Sequence, residues 1–206
     1  IHQEITVKGS ARMPARADLG VWSIGVSGSG VDLKSAYEVL EFGVDRVNAF
    51  LAQQGFAETA IRLSAIDTDV HIERDKDGRE TGKVTGFGLS RSFTVTSPDV
   101  DRMSRAASEV TQLLRENVRV TSRLPQYTCT RAADFKVQIL GLAARDALAR
   151  AQEIAHESGC RVGEVRQAQM GVMQITQPHS TEVSGYGMYD TSTIDKEISV
   201  VVTSTF

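Results

Sequence analysis

Small residues recur every four positions through the last third of the chain, and this row constrains the fold more than any other feature. Its members are Ala143, Ala147, Ala151, Ala155, Gly159 and Gly163. Rows at this spacing form the ridges and grooves through which helices pack, and small side chains let a second backbone come very close. The row therefore predicts a long helix, over about residues 134–158, that is seated closely against another element.

Two partners are compatible with this row. The helix can be seated on the chain's own sheet, or the row can be a face through which copies of the chain self-associate. Periodicity does not separate the two alternatives. The candidate self-association face comprises Ala143, Ala147, Ala151, Ala155 and Gly159.

The rest of the chain alternates strand and helix patterns in the order β-β-α-β-β-α-β-α-β-β. Asp32 is a good N-cap for a helix that runs to about Gln54, and Pro98 opens the next helix. Residues 19–127 spell βαββαβ, the ferredoxin-like order. We therefore predict an α+β fold with a mainly antiparallel sheet and helices on one face, a ferredoxin-like βαββαβ core and a C-terminal αββ extension.

The domain organisation follows from the length and from the lack of a linker-like segment. The chain has 206 residues, which fits one domain or two small ones. We predict a single domain over residues 1–206, with 1–130 and 131–206 as candidate sub-lobes.

Four segments are predicted to depart from regular structure. A proline favours a turn over residues 12–16, and a change in the parity of the apolar residues between Val21 and Trp22 indicates a bulge. The glycines of residues 25–30 favour a flexible turn, because their spacing is not that of a phosphate-binding loop. Residues 178–194 are predicted to be a mobile loop, in which a Gly-Tyr-Gly tip is a candidate contact.

Composition excludes several classes of protein. The net charge is −3, which disfavours a nucleic-acid binder built on a basic face. No apolar run approaches the ~18 residues that a membrane span needs. The chain begins at Ile1 without a leader, so we expect either a removed targeting segment or a trimmed chain.

The two cysteines are predicted to be free. Cys129 and Cys160 flank the predicted long helix, whose ends lie more than ~30 Å apart. A disulfide needs much closer Cα atoms, so we expect two small, mostly buried thiols.

A polar stripe on one predicted strand brings more ionisable side chains together than any other candidate site in the sequence. Asp67, Asp69, His71 and Glu73 alternate along the strand, so their side chains share one face. Such a row could ligate a divalent metal, line a channel or interface between copies, or form an ordinary solvent-facing surface. The solvent-facing alternative is the simplest, since Ile66, Val70 and Ile72 occupy the opposite face.

The sequence has no recognisable catalytic constellation. Its histidines, His2, His71, His156 and His179, are scattered, and none lies in a motif with a nucleophile. No zinc-ligand spacing occurs either. We therefore predict no catalytic residues, no metal site and no cofactor.

The chain resembles the SIMPL-domain family in the order and spacing of many short stretches of sequence. This family includes periplasmic and outer-membrane-associated immunogenic proteins of Gram-negative bacteria. The matching residues are Val7-Lys8-Gly9, Ala17-Asp18-Leu19, Trp22, Phe50-Leu51, Gly55-Phe56, Pro125, Tyr127, Thr130, the small-residue row, Val165, Ala168, Gly171-Val172, Lys196 and Val200-Val201-Val202. The sequence departs from the family at Cys129, where an aromatic residue is usual, and in the long 178–194 loop.

The resemblance implies a location in the cell envelope, usually behind an N-terminal hydrophobic segment or signal peptide. It also implies an α+β fold that tends to self-associate, and no established catalytic residues. We therefore predict a non-enzymatic periplasmic or envelope-associated protein with a structural, assembly or stress-related role. It would form homo-oligomers through the small-residue helix or the terminal strands, associate with the membrane through an N-terminal segment, and bind no nucleic acid. The alternative is a monomeric ligand- or protein-binding module that uses the sheet face or the 178–194 loop.

Overall fold

The computed structural model describes residues 4–206, which divide into two compact units. The central unit is Leu19–Gln126, and the terminal unit joins the residues up to Asp18 with Tyr127–Phe206. The helices are α1 (Leu33–Gln53), α2 (Val100–Glu109) and α3 (Ala132–Glu157). The strands are β1 (Thr6–Arg16), β2 (Leu19–Gly30), β3 (Ile61–Leu63), β4 (Asp67–Arg74), β5 (Glu80–Ser97), β6 (Arg119–Ser122), β7 (Gln126–Thr128), β8 (Gln167–Met170), β9 (Gln174–Thr176) and β10 (Asp195–Thr205).

The central unit has the predicted ferredoxin-like strand order. β2 lies between β5 and β6, and both β3 and β4 pair with the far side of β5. Every one of these pairs is antiparallel. Helices and antiparallel sheets together confirm the predicted α+β class.

Helix α1 forms where the sequence predicts it and lies very close to β2. The Asp32 side chain accepts a hydrogen bond from the Ser35 backbone N–H at 2.7 Å, which caps the helix. A Cβ at Gly28 would lie 2.5 Å from the Leu40 nitrogen and 2.7 Å from the Ala36 oxygen. The glycines of residues 25–30 therefore continue β2 beneath α1, and the predicted flexible turn is wrong.

The terminal unit is built on a second antiparallel sheet in which β10 is central. β1 pairs with one side of β10 along its whole length, and β8 and β9 pair with the other side. Helix α3 covers one face of this sheet, with Ile139 and Ala143 packed among Ile175, Ile198 and other buried residues. The predicted αββ extension thus forms a sheet of its own together with β1.

Pro14 lies inside β1 rather than in a turn, so the turn predicted for residues 12–16 is wrong. β1 is an edge strand, and Ile5 and Phe206 exchange both backbone hydrogen bonds. In an antiparallel pair of strands, every second residue forms hydrogen bonds to its partner, so the odd-numbered residues of β1 bond to β10. The N–H and C=O groups of the even-numbered residues therefore point away from β10. Pro14 occupies such an outward position, where its missing N–H removes no bond from the sheet.

The bulge predicted between Val21 and Trp22 is also wrong. β2 pairs with β5 without a shift in register from Gly20 to Gly30. Trp22 is buried and Val21 is partly buried, so the two faces of β2 both carry apolar residues without a break in the strand.

The division at residue 130 differs from the division in the structure, because β1 pairs with β10 across the length of the chain. The assignment of the whole chain to one domain stays a prediction. Among the helices within residues 4–206, none has the length and apolar character that a bilayer span requires.

Candidate interaction surfaces

The four alanines of the small-residue row are buried against the chain's own strand β1. Ala143, Ala147 and Ala151 have no exposed surface, and Ala155 is 7% exposed. A Cβ at Gly9 would lie 2.7 Å from the Ala147 Cα and would also collide with the Ala143 oxygen and the Ala147 nitrogen. This close seating explains the row within one chain and favours the first of the two alternatives.

Gly159 has a different role from the alanines. It is exposed and adopts a φ of +69°, the left-handed conformation that ends helices. The Cys160 N–H donates to the Ala155 oxygen and the Gly159 N–H donates to the His156 oxygen, which is the Schellman arrangement. Gly159 therefore terminates α3 and does not extend its packed face.

The outer edge of β1, one of the predicted self-association surfaces, is partly closed. The outward N–H of Ser10 donates to the Asp146 carboxylate of α3 at 2.7 Å. This bond holds the pKa of Asp146 below its usual value. Pro14, four residues along the same edge, has no N–H to offer. These two devices oppose the addition of another strand to β1.

The polar stripe lies on β4, at the edge of the central sheet, and is largely exposed to solvent. Asp69 and His71 approach each other to 3.7 Å, and Glu73 forms an ion pair with Lys83 at 3.0 Å. The His71 ring lies over Gly88, whose Cβ position is 3.0 Å from Nε2. Within the described chain, no three metal-ligating side chains come together.

The opposite face of this hairpin carries an uncovered apolar strip. We call residues 67–87, which comprise β4 and the first part of β5, the arm. Val70 pairs with Phe87 and Ile72 pairs with Val84, so the four side chains share a face with the buried Leu89 of the core. Val70 is 44% exposed and Val84 is 50% exposed, although they continue the face that α1 and α2 cover elsewhere.

The arm is an ordered hairpin with internally paired charges. The Asp75 carboxylate accepts from the backbone N–H groups of Asp77 and Arg79 at 2.9 Å each, which fixes the turn that ends at Gly78. Arg74 pairs with Glu80 at 3.2 Å. These contacts are exposed, so residues 74–80 form the solvated tip of the hairpin.

The 178–194 loop is held in place by a buried glutamine. Gln174 of β9 is 7% exposed, and its amide nitrogen donates to the Ser184 oxygen at 2.8 Å. Its amide oxygen accepts from the Met188 N–H at 2.9 Å and from the Ser184 N–H. One side chain thus binds the loop at two points, and the loop is more constrained than its composition indicates.

A buried lysine holds the far end of the loop. Lys196 of β10 is 1% exposed, and its ammonium group donates to the Asp190 backbone oxygen at 2.5 Å and to the carboxylate at 3.2 Å. Burial raises the pKa of Asp190, but hydrogen bonds from Ser192, Thr193 and Lys196 outweigh it and hold that pKa far below its usual value. Because Asp190 stays ionised, it neutralises the lysine in the interior.

The anchored loop displays its apolar tip to solvent. Tyr186 is 100% exposed and Val183 is 79% exposed. Gly187 allows the close turn at this tip, since its φ is +89° and a Cβ there would lie 2.9 Å from Val172. His179 adopts a φ of +64° in the turn formed when the Ser180 N–H donates to the Gln177 oxygen.

The remaining candidate residues are dispersed. Both cysteines are free, as predicted, but only Cys129 is buried, and the expectation of burial is wrong for Cys160. Burial raises the pKa of the Cys129 thiol. His156 is exposed at the end of α3, and His2 lies outside the described residues.

Sequence reasoning missed the arm strip and the two buried anchors of the loop. The alternation of Val70, Ile72 and Val84 was visible, but alternation alone does not show which part of a strand a helix covers. Gln174 and Lys196 resemble solvent-facing residues of alternating strands, and only the loop that returns over them makes them buried.

Comparison with known proteins identifies one family. The model of SIMPL, a protein of unknown function (DUF541), matches residues 5–206. No curated protein matches the chain.

Solved structures show only weak similarity to the chain. The de novo designed protein Foldit4 is 9% identical to this chain, with a TM-score of 0.27. Its match covers 51% of this chain and 93% of the Foldit4 chain. An amidase of the hydantoinase/carbamoylase family from Burkholderia vietnamiensis is 12% identical with a TM-score of 0.28, covering 71% of this chain. The chain spans 34% of that amidase. The ligand-free regulatory subunit of aspartate kinase from Thermus thermophilus is 14% identical with a TM-score of 0.21, covering 94% of this chain and 86% of its own. With TM-scores this low, these similarities establish neither a shared fold nor a shared activity.

Proposed function

Because the chain belongs to the SIMPL family, we propose that it is a non-enzymatic extracytoplasmic protein that works by self-association, and that the arm is its contact element. The observation that carries this proposal is the apolar strip of the arm. Val70, Ile72, Val84 and Phe87 continue the core face of the sheet, yet Val70 and Val84 remain about half exposed.

The energetics of the arm favour a partner. A two-stranded ribbon is only marginally stable alone, because it buries little apolar surface. Covering the strip would gain about 25 cal/mol for each Å² of apolar surface removed from water. β4 is also an edge strand, so its outer backbone groups are available for pairing with another strand.

A second copy of the chain suits this surface. The arm carries six acidic and four basic side chains, a net charge of −2, and two ion pairs, Glu73 with Lys83 and Arg74 with Glu80, lie within it. The polar stripe lies on the face opposite the apolar strip, so contact through the strip does not bring the two polar stripes together. Contact between identical arms around a two-fold axis is self-complementary and closes at a dimer. Because the alanine row is buried and the edge of β1 is partly closed, the arm is a more accessible contact surface than either of them.

Light scattering after size exclusion, over a range of concentrations, tests the proposal. We expect the unmodified chain to assemble and V84K to shift it to monomer, since a lysine on the strip would place a charge in the contact. The matched control is V137K on α3, where the valine is 80% exposed and lies outside the arm.

The control should leave the assembly unchanged, and circular dichroism should show that both variants are folded. A monomer at every concentration for the unmodified chain, or assembly of V84K equal to that of V137K, would contradict the proposal. Fractionation of cells that express the full-length protein tests the extracytoplasmic location separately.

A second candidate function has its own support in the anchored loop. Gln174 and Lys196 fix residues 178–194, and such preorganisation lowers the entropic cost of binding at the exposed tip. If the chain is instead a monomeric module that binds another protein, Y186S should abolish binding of that protein without changing the melting temperature of the chain. In that case V84K should have no effect on binding.

A further inference from the structure

A cavity of about 730 Å³ in the terminal unit lies where α3 ends and has no role in the proposed function. Its apolar wall comes from Ile5, Ile154, Val162, Val165 and Phe206. Ile154 is 50% exposed and Val165 is 56% exposed, so this wall is open to a ligand. The volume lies within the range of roughly 300–1,000 Å³ that small-molecule sites occupy.

Four charged side chains also line the cavity, and they differ in how they are paired. Arg166 donates to the Glu4 carboxylate at 3.3 Å, so these two charges satisfy each other. Arg161 and Glu164 are three residues apart on the 158–166 segment. As far as residues 4–206 show, neither of them has an ion-pair partner.

The guanidinium of Arg161 is also not needed to cap the end of α3. The carbonyl groups of Ala155 and His156 accept hydrogen bonds from the Cys160 and Gly159 N–H groups. Because these backbone bonds satisfy the helix end, the guanidinium of Arg161 is not required there. The cavity therefore offers an open cation, an open anion and an apolar wall within one site.

We propose that this cavity binds a small zwitterion with apolar side chains, of the class of a short peptide with free termini. The carboxylate of such a ligand complements the Arg161 guanidinium, and its ammonium group complements the Glu164 carboxylate. Its apolar side chains cover Ile154 and Val165. A purely anionic or purely cationic ligand satisfies only one of the two open charges.

Titration of the whole chain with the dipeptide Leu-Leu, followed by calorimetry and by amide chemical shifts, tests the proposal. We expect shifts confined to residues 154–166 and their neighbours Ile5 and Phe206. Acetylation of the amino terminus or amidation of the carboxyl terminus should each weaken binding about fivefold, the effect of losing one exposed ion pair. Gly-Gly, which lacks the apolar side chains, should bind more than about tenfold more weakly.

Two variants assign the charges to their partners. R161Q should weaken Leu-Leu and leave the affinity for amidated Leu-Leu unchanged, because the carboxylate contact is already missing in that ligand. E164Q should do the same with respect to acetylated Leu-Leu. R145Q on α3 and E182Q in the loop, which lie outside the cavity, should leave every affinity unchanged.

Several results would overturn the proposal. One is that no chemical shifts change in residues 154–166 on titration. The others are an equal affinity for Leu-Leu and its doubly blocked form, or an equal loss of Leu-Leu affinity in R161Q and R145Q. Each result is independent of self-association, since V84K should bind Leu-Leu as the unmodified chain does.

Discussion

At the scale of single residues, glycines in strands determine how closely the helices approach. Gly9 of β1 lies beneath the alanine row of α3, and Gly28 of β2 lies beneath α1. We expect G9A to lower the free energy of unfolding by about 1–3 kcal/mol, because the added methyl group meets backbone atoms that cannot move separately. Urea unfolding measures this change.

The control for G9A is on the helix that it contacts. Gly141 of α3 has nothing within 4 Å of its Cβ position. G141A should therefore raise the free energy of unfolding by about 0.5–1 kcal/mol through helix propensity alone. A G9A variant as stable as the unmodified chain would show that α3 is not seated on β1 as closely as described.

His179 provides a second test at the residue scale, because it holds a backbone conformation that favours glycine. Its side chain is exposed and its φ is +64°. We expect H179V to be less stable than H179G by about 1–2 kcal/mol, since a β-branched residue is strained in the left-handed region. Thermal melting of the two variants compares them directly. Equal melting temperatures would mean that the turn readily adopts another conformation.

At the scale of elements, the loop and β10 are joined by one ion pair. Lys196 is buried, and Asp190 takes part in four further hydrogen bonds with Ser192 and Thr193. We expect K196M to cost roughly 2–4 kcal/mol of stability, because the Asp190 carboxylate loses the cation that neutralises it in the interior. Urea unfolding and hydrogen exchange at the Met188 and Asp190 amides measure the effect.

An exposed ion pair is the matched comparison for K196M. Arg131 and Asp134 pair at 2.9 Å with most of each side chain in solvent. R131M should therefore change stability by less than about 1 kcal/mol. The double variant K196M/D190N should recover part of the K196M loss, because no unpaired charge is left buried. Additive losses would argue against the coupling.

Elements differ in how far the sequence predicts them. The start of α1 follows from a local signal, the Asp32 cap, which acts within a few residues. Gly159 ends α3 in an equally local way, although its spacing predicted it to lie on the packed face. The ferredoxin-like order is also predictable, since the helices and the hairpin that connect its strands each leave a local pattern in the sequence. The pairing of β1 with β10 was not predicted, because it joins residues almost 200 positions apart and depends on packing that no local pattern contains. The arm strip could not be recognised either, because its exposure depends on which part of the sheet the helices cover, and alternation within a strand does not show this.

At the scale of the whole molecule, ionised carboxylates tie the fold together in both units. In the central unit, the Ser35 N–H holds the pKa of Asp32 below its usual value, and Arg46 does the same for Glu116. In the terminal unit, the Thr130 N–H lowers the pKa of Asp18, and the network around Asp190 lowers that of its carboxyl. These contacts all require the charged form of the acid.

The direction of the pH dependence follows from these shifts. Each carboxyl has a lower pKa in the folded chain than in the unfolded chain, so the unfolded chain binds more protons in acid. The stabilisation is complete above the unfolded pKa values, near about 4, and it is lost as the pH falls through the lower folded values. We expect the free energy of unfolding to be steady from about pH 7 to about pH 5 and to fall below about pH 4.

D18N should flatten this fall, whereas D45N on α1, whose side chain makes no hydrogen bond within residues 4–206, should not. A free energy of unfolding that is unchanged down to about pH 2.5 would mean that these carboxylates do not contribute to stability in the way their contacts indicate.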